Sequence, residues 1–142
     1  MSLSQKPLKI QAKNFQPYGW IIDYPGKEFC RGKNLFRIVV RQQKTGWRIA
    51  YLVVRDKVIG RLEQHPDSLE SFEPVSGKSL LFVATRKDAK NIVCFRLDKP
   101  VVLKKGIWHG IITEGAEADV KITENASVRC VYWTLGRILG PL

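Results

Sequence analysis

The chain is short of acidic residues, and no long apolar run is present. Thirteen Asp and Glu stand against 24 Lys and Arg among its 142 residues, giving a net charge of +11. No stretch reaches the roughly 20 apolar residues that a membrane-spanning helix needs. Residues 1–11 lack the apolar core of a signal peptide. We therefore expect a soluble cytoplasmic protein with no membrane-spanning segment.

Cysteine is also scarce, which limits the role of disulfides and of zinc fingers. The three cysteines cannot all pair within one chain, and their wide spacing excludes a close-paired zinc motif. Cys94 and Cys130 lie in apolar, strand-like segments, so we predict that both are small buried side chains. Cys30 stands in a loop-like segment, and no role is predicted for it.

The basic residues are numerous but dispersed. Such an excess favours anionic partners, yet the ten basic residues from Lys6 to Arg48 recur every few positions and often alternate with apolar residues. This spacing is typical of the solvated face of a sheet. The sequence carries no helix-turn-helix, zinc-finger or RNA-binding signature. We expect a small anionic substrate rather than nucleic acid, and a nucleic-acid-binding β-barrel is kept as an alternative.

Short segments rich in β-branched and aromatic residues recur along the whole chain, and turn residues separate them. The predicted strands are residues 35–40, 47–55, 58–65, 79–85, 92–97, 101–103, 108–113, 119–123 and 127–133. Strands at such regular spacing predict an all-β sandwich or barrel. The length indicates a single domain, residues 1–142, and a double-sheet jelly roll is the preferred architecture.

The segment RLEQHPDSLESFEP, residues 61–74, gathers four carboxylates around one of the two histidines. Glu63 and His65 are two residues apart on a predicted strand, so their side chains leave the same face. Pro66 ends that strand because it has no amide proton to donate. Glu70, beyond the turn, is free to fold back. His109 faces the same space if its strand pairs with residues 58–65.

Two carboxylates and two imidazoles in one cavity are ligands that suit a divalent cation such as nickel, zinc or manganese. Without a metal, clustered carboxylates raise one another's pKa, which suits general acid–base catalysis. The residues also allow a plainer interpretation. In it, Glu63 pairs with Arg61 or Arg41 on the surface and His109 is a core histidine bonded to a backbone carbonyl.

The spacing of these residues resembles the two sequence motifs of the cupin superfamily. The matching positions are Glu63, His65, Glu70 and Gly77 in the first motif and Gly106 and His109 in the second. The resemblance implies a cupin-like double-stranded β-helix, that is, a jelly-roll barrel. It also implies a metal site built from Glu63, His65, Glu70 and His109, with Glu63 in place of the usual first histidine.

Three blocks resemble the ureidoglycolate lyase family of cupins: residues 15–19, residues 62–66 with Phe72 and Pro74, and Trp108-His109. This resemblance implies a homodimer that eliminates urea from ureidoglycolate to give glyoxylate. Glu63, His65 and His109 would be catalytic, and Trp108 would form a wall of the substrate pocket. Arg61, two residues before Glu63, faces the same way and would bind the substrate carboxylate.

The chain departs from that family at three positions. Leu69 and Glu70 stand where the family has serine and glutamine, and Gly110 replaces a second histidine after Trp108-His109. These departures leave two alternatives open. One is a non-catalytic cupin module that binds a small anion or a sugar, and the other is a different metal-dependent cupin enzyme.

Overall fold

The computed structural model describes residues 2–3 and 6–141, and it is built almost entirely of strands. The strands are β1 Ser2–Leu3, β2 Leu8–Lys9, β3 Gly19–Ile21, β4 Cys30–Arg31, β5 Asn34–Leu35, β6 Trp47–Val54, β7 Ile59–Gln64, β8 Glu70–Ser76, β9 Ser79–Ala84, β10 Val93–Arg96, β11 Val101–Leu103, β12 Trp108–Thr113, β13 Ala118–Asn125 and β14 Val131–Leu139. One helical turn, α1 Ala12–Phe15, and two short 3-10 turns, Lys27–Phe29 and Ala89–Asn91, complete the described elements. None of the helices in the described residues is long and apolar enough to cross a membrane.

The strands form two main sheets whose order defines the fold. One sheet has the order β1-β14-β7-β12-β9-β10-β2, and the other has the order β3-β11-β8-β13-β6. From β6 to β13 the chain passes back and forth between them, so that β7-β12-β9-β10 faces β6-β13-β8-β11. This arrangement of eight strands is that of a double-sheet jelly roll. The predicted all-β jelly-roll fold is therefore confirmed.

The space between the two sheets holds the main hydrophobic core. Its largest fully buried side chains include Phe15, Leu81, Phe95 and Leu103. Strand β13 shows the cause of this burial, since its residues alternate between buried and half-buried positions along most of its length. Every second side chain of such a strand points inward. Inward-pointing polar residues near one end of this core form the candidate site.

A second core lies on the opposite face of the seven-stranded sheet. It contains Leu62, Phe82, Trp108 and Ile112, packed against side chains of β14 such as Trp133. The sheet encloses this core by curling. Strands β1 and β2 lie at its opposite edges although they are only five residues apart in the chain, a reach of at most about 18 Å. Seven strands laid flat would separate these edges by about 29 Å.

Three predictions about the elements are wrong. Residues 35–40 do not form a strand beyond the short β5, because residues 36–46 pair with neither main sheet. Strand β8 was not predicted, since its acids and Pro74 resemble a loop. The last strand begins at Val131 and continues to Leu139, through the segment LGRIL that carries no strong strand pattern. It accommodates Gly136 at a φ of 68°, next to an irregularity in its pairing with β7.

Candidate metal and active site

The first part of the site comes from the end of β7. Glu63 lies on this strand, His65 follows directly after its last residue, and Pro66 comes next. Leu62 points the other way, into the second core, so Glu63 and His65 share the opposite face. His65 is buried, whereas the Glu63 side chain remains 37% exposed. The strand therefore offers one enclosed imidazole and one carboxylate that reaches solvent.

Strand β12 lies beside β7 and brings the second histidine to the same place. His109 pairs directly with Glu63 across the two strands, which is the strand pairing assumed above for a shared site. The turn before β12 is fastened to the first histidine, because the Gly106 N–H donates to the His65 carbonyl at 2.9 Å. Gly106 has a φ of 76°, which favours glycine in this turn. His109 is 3% exposed and faces the main core.

Glu70 reaches the site from the opposite sheet. It is the first residue of β8, where it pairs with Leu103 and with Glu124. Its side chain is buried and lies between the two imidazoles. Phe72, two residues further on the same face, packs its ring edge against His109 with 5.5 Å between ring centroids. The turn before Glu70 thus leads into a strand, and the Glu70 carboxylate points into the barrel.

The three buried side chains converge closely. Glu70 Oε2 lies 2.5 Å from His65 Nε2 and 3.4 Å from His109 Nε2. The two imidazole centroids are 5.1 Å apart. Glu63 Oε1 lies 3.8 Å from His109 Nε2 on the solvent side. One ligand atom from each of His65, Glu70 and His109 falls within 4.8 Å of the others, so this triad can hold a metal ion.

The outer nitrogen of each ring fixes how the rings are protonated. His109 Nδ1 lies 2.9 Å from the Ile107 carbonyl, and His65 Nδ1 lies 3.3 Å from the Arg129 carbonyl. A carbonyl only accepts hydrogen bonds, so Nδ1 carries the proton in each neutral ring and Nε2 carries a lone pair. Both lone pairs are then available to a cation held beside Glu70, and without a cation the Glu70 carboxylate favours a proton on the rings. Metal-binding histidines are commonly held in this way by backbone carbonyls.

Two of the converging atoms lack an aligned hydrogen bond. Glu70 Oε2 and His109 Nε2 are buried, and within the described residues neither has a partner in good hydrogen-bond alignment. Glu70 Oε2 nevertheless lies 2.5 Å from His65 Nε2 and 3.4 Å from His109 Nε2. A buried polar atom left in this state is costly unless something else satisfies it. A cation placed between the three side chains would satisfy both atoms at once. The donor set of two imidazole nitrogens and one carboxylate therefore fits a divalent metal.

The electrostatics of the triad are those of a carboxylate between two bases. Burial alone raises the pKa of the Glu70 carboxyl, but the adjacent His109 and His65 rings outweigh burial and hold this pKa at about 2. Burial lowers the pKa of both imidazoles, and the Glu70 carboxylate reverses this, so the pKa of each ring is raised. Glu70 is thus an anion at neutral pH, ready to bind a cation.

A small cleft opens from solvent onto this cluster. It has a volume of about 170 Å³ and is lined by residues that include Arg61, Glu63, His109, Gly110 and Tyr132. Arg61 is exposed, and its guanidinium group stacks over the Tyr132 ring at 4.4 Å from the centroid. Arg61 thus lies at the cleft but contacts the aromatic ring of the next strand. Glu63 and His109 both line this cleft, so it reaches the triad at His109.

Trp108 lies away from the site. Its side chain leaves the face of β12 opposite to His109 and packs in the second core, 5.8 Å from the Trp133 ring centroid. The Lys87 amino group lies over the Trp108 ring, 5.2 Å from its centroid. This placement corrects the expectation of a pocket wall at Trp108. The cause is strand alternation, which sends neighbouring residues to opposite faces.

Cys130 was predicted to be buried, and this prediction is wrong. It is exposed, just before β14, and its sulfur lies 3.6 Å from His65 Nδ1. The strand pairing explains this position, since Val131 and Tyr132 pair with Gln64 and Glu63 on β7. No local pattern signals this position, because the pairing of two segments 65 residues apart is a property of the fold. Cys94, in contrast, is buried as predicted.

The fold and the triad together define a class, that of jelly-roll proteins with an internal histidine–glutamate cluster. No family model matches the chain, and no curated protein matches it. The solved structures that resemble it include Bacillus subtilis oxalate decarboxylase at pH 4.6. They also include a structure of the same enzyme in a study of its Mn(II) centres.

In both of those structures the aligned residues are 17% identical, with a TM-score of 0.47, and cover 63% of this chain. The W-to-Y mutant of the same enzyme is 16% identical, with a TM-score of 0.44. The match takes in 24% of the enzyme's own length. The chain is described as a jelly roll because of the order of its own strands in the two sheets.

Proposed function

We propose that this protein is a metal-dependent jelly-roll enzyme that holds one divalent cation with His65, Glu70 and His109. The observation that carries the proposal is the pair of buried atoms without an aligned partner, Glu70 Oε2 and His109 Nε2. They belong to a triad whose two rings are already oriented by backbone carbonyls. Glu63, 3.8 Å from His109 Nε2, is a fourth ligand on the solvent side.

The donor set narrows the choice of metal. Imidazole suits zinc, nickel and iron, and carboxylate suits harder ions such as manganese. We propose manganese, nickel or zinc as the ion, in agreement with the two nitrogen and two oxygen donors. A bound cation would polarise a substrate oxygen and balance a substrate carboxylate.

The cleft points to a small anionic substrate. Its volume of about 170 Å³ admits only a small molecule, and the guanidinium of Arg61 supplies a positive charge at its rim. The net charge of +11 draws anions toward the protein as a whole. We propose elimination of urea from ureidoglycolate, or a related reaction of a small hydroxy acid, as the specific activity. The support for that substrate is the sequence resemblance.

The half-exposed position of Glu63 suits it to proton transfer. Elimination of urea from a hydroxy acid requires a base that takes the hydroxyl proton as the carbonyl forms, and an acid that gives a proton to the urea nitrogen as the C–N bond breaks. Glu63 reaches the cleft, whereas His65 and His109 each have only one lone pair, which metal binding occupies. In the metal-bound enzyme the two histidines bind the ion, and Glu63 is the base through the carboxylate oxygen that the ion does not hold. Glu63 then passes the proton to the departing urea nitrogen.

The test combines metal analysis with an activity assay. Protein purified without chelators is expected to hold about one divalent ion per chain, and Glu70→Gln and His109→Asn are expected to lose manganese binding at the triad. Glu73→Gln is the matched control, because Glu73 lies on the same strand and bonds outward to Lys121 and Ser71. Release of glyoxylate from ureidoglycolate then tests the substrate. Manganese binding unchanged in Glu70→Gln would refute the site.

A structural metal is the second candidate, and burial favours it. The side chains of His65, Glu70 and His109 are each no more than 6% exposed, and closed sites are typical of structural ions. In that case the protein is a non-catalytic module. Metal removal would then lower the melting temperature, and no small hydroxy acid or keto acid would be turned over. Turnover that depends on the metal and on Glu63 would exclude it.

A further inference from the structure

A second group of ligand atoms lies on the solvent side of His65. It consists of Glu63, His65 and Cys130, and one donor atom from each lies within 4.8 Å of the others. The sulfur of Cys130 is 3.6 Å from His65 Nδ1. In a tetrahedral zinc site with bonds of about 2.0–2.3 Å, neighbouring ligand atoms are about 3.3–3.8 Å apart. The sulfur and the nitrogen already have this spacing.

We propose that Glu63, His65 and Cys130 form a second, outer cation position that binds a thiophilic divalent ion such as zinc. The three residues supply a carboxylate, an imidazole and a thiolate, a combination that zinc accepts. Cys130 is exposed and Glu63 is part-exposed. The fourth coordination position therefore faces water, and the ion has an entry path. This proposal goes beyond the metal site of the triad.

The two cation positions use opposite nitrogens of His65. In the inner position Nε2 binds the ion and Nδ1–H donates to the Arg129 carbonyl. In the outer position Nδ1 binds the ion, and the proton moves to Nε2, where Glu70 Oε2 accepts it at 2.5 Å. The bond to Arg129 that must be given up is long, 3.3 Å. The N–H group of each tautomer thus has an acceptor, the Arg129 carbonyl for Nδ1–H and Glu70 Oε2 for Nε2–H. A neutral His65 ring can bind only one ion at a time.

The charges around the outer position favour a cation. Glu63 is one of its ligands, and the nearby guanidinium groups are engaged elsewhere. Arg129 pairs with Asp67 at 3.2 Å, and Arg61 stacks on Tyr132. Metal binding releases the thiol proton of Cys130, since zinc binds the thiolate form. A harder ion, such as manganese, has little affinity for sulfur and prefers the inner triad.

Cobalt(II) tests the outer position, because a thiolate bound to it gives an intense near-ultraviolet charge-transfer absorption. We expect this band when the full chain is titrated with Co²⁺, and we expect Zn²⁺ to remove it by competition. Cys130→Ser should abolish the band. Cys30→Ser is the control, since Cys30 is also exposed but is not part of either ligand cluster, and it should leave the band unchanged. A band that survives in Cys130→Ser, or no band in the wild type at saturating Co²⁺, overturns the proposal.

Two further variants separate this proposal from the inner metal site. Glu70→Gln removes the inner carboxylate, so we expect the thiolate band to persist while manganese binding is lost. His65→Ala removes the shared ligand and should abolish both. Loss of the band in Glu70→Gln with the variant folded would contradict a separate outer position. Retained manganese binding in Glu70→Gln would contradict the proposed function and leave the outer position standing.

Discussion

Glu70 is the residue on which the inner site depends, because its carboxylate lies between both imidazoles. The two imidazoles repel each other when both are protonated, and the Glu70 carboxylate attracts both of them. Glu70 is also the only anion of the buried triad. Replacing it with glutamine keeps its size and removes the charge. Since an ion would then lose a direct ligand, we expect metal affinity to fall by at least the roughly 10–100-fold seen when a supporting partner is lost. Isothermal titration of the metal-free variant measures this.

The same residue gives the metal-free protein a defined pH dependence. The pKa of the Glu70 carboxyl is lowered from 4.5 to about 2, so its contribution to stability is complete above pH 4.5 and is lost as the pH falls toward 2. The pKa of each histidine is raised from 6.5, so their contribution is complete below pH 6.5. It is lost as the pH rises through the raised values.

Chelator-treated protein should therefore be most stable between pH 4.5 and 6.5 with respect to these three groups. Urea unfolding across this range and above it measures the effect. The Glu70→Gln variant is the control, and its unfolding midpoint should depend much less on pH. A midpoint that rises steadily above pH 6.5 in the metal-free wild type would show that the triad is not charged in this way.

At the scale of single elements, strand β12 separates two functions on its two faces. His109 faces the main core and the candidate site, whereas Trp108 packs against Trp133 in the second core. We expect Trp108→Ala to cost about 3–5 kcal/mol in the free energy of unfolding. Trp108→Phe keeps an aromatic ring there and should cost less. Metal content should be unchanged in Trp108→Phe and should fall in His109→Asn. Loss of metal in both variants would contradict the separate roles of the two faces of β12.

The turn between β8 and β9 requires glycine at position 77. Gly77 has a φ of 74°, and a Cβ there would lie 2.6 Å from the Glu117 carbonyl oxygen. Both facts disfavour any other residue, so Gly77→Ala should destabilise the fold by more than about 1 kcal/mol. Gly115→Ala is the matched control because nothing lies within 4 Å of its Cβ position. Equal unfolding midpoints for the two variants would contradict this explanation.

Local pattern was enough for some elements and misleading for others. Strands β11 and β12 have the predicted bounds, since β-branched and aromatic residues fill them and turns enclose them. The approach of His109 to Glu63 also followed from an assumed strand pairing that the structure confirms. Strand β8 was missed because Glu70 and Glu73 look solvated in sequence. Their directions follow from tertiary contacts. Glu70 points inward to His65 and His109 of the opposite sheet, whereas Glu73 points outward to Lys121.

At the scale of the whole molecule, the exposed face of β6 is the largest feature that the site does not explain. Trp47, Ile49, Tyr51 and Val53 leave the same face of this strand, and each is at least 39% exposed. Strand β6 lies at the edge of its sheet. An apolar stripe on an edge strand is prone to association. The homodimer implied by the family resemblance remains a prediction, and this stripe is the surface we expect it to bury.

Light scattering coupled to gel filtration tests the homodimer. We expect twice the chain mass of 16.2 kDa for the wild type, and a monomer for Ile49→Asp, because a carboxylate buried against apolar side chains in an interface lacks a partner. Ile138→Asp is the control, since Ile138 is similarly exposed but lies on β14 in the other sheet. It should remain dimeric. A wild type that stays monomeric at every accessible concentration, or dissociation by both variants alike, would rule out β6 as the contact between two copies.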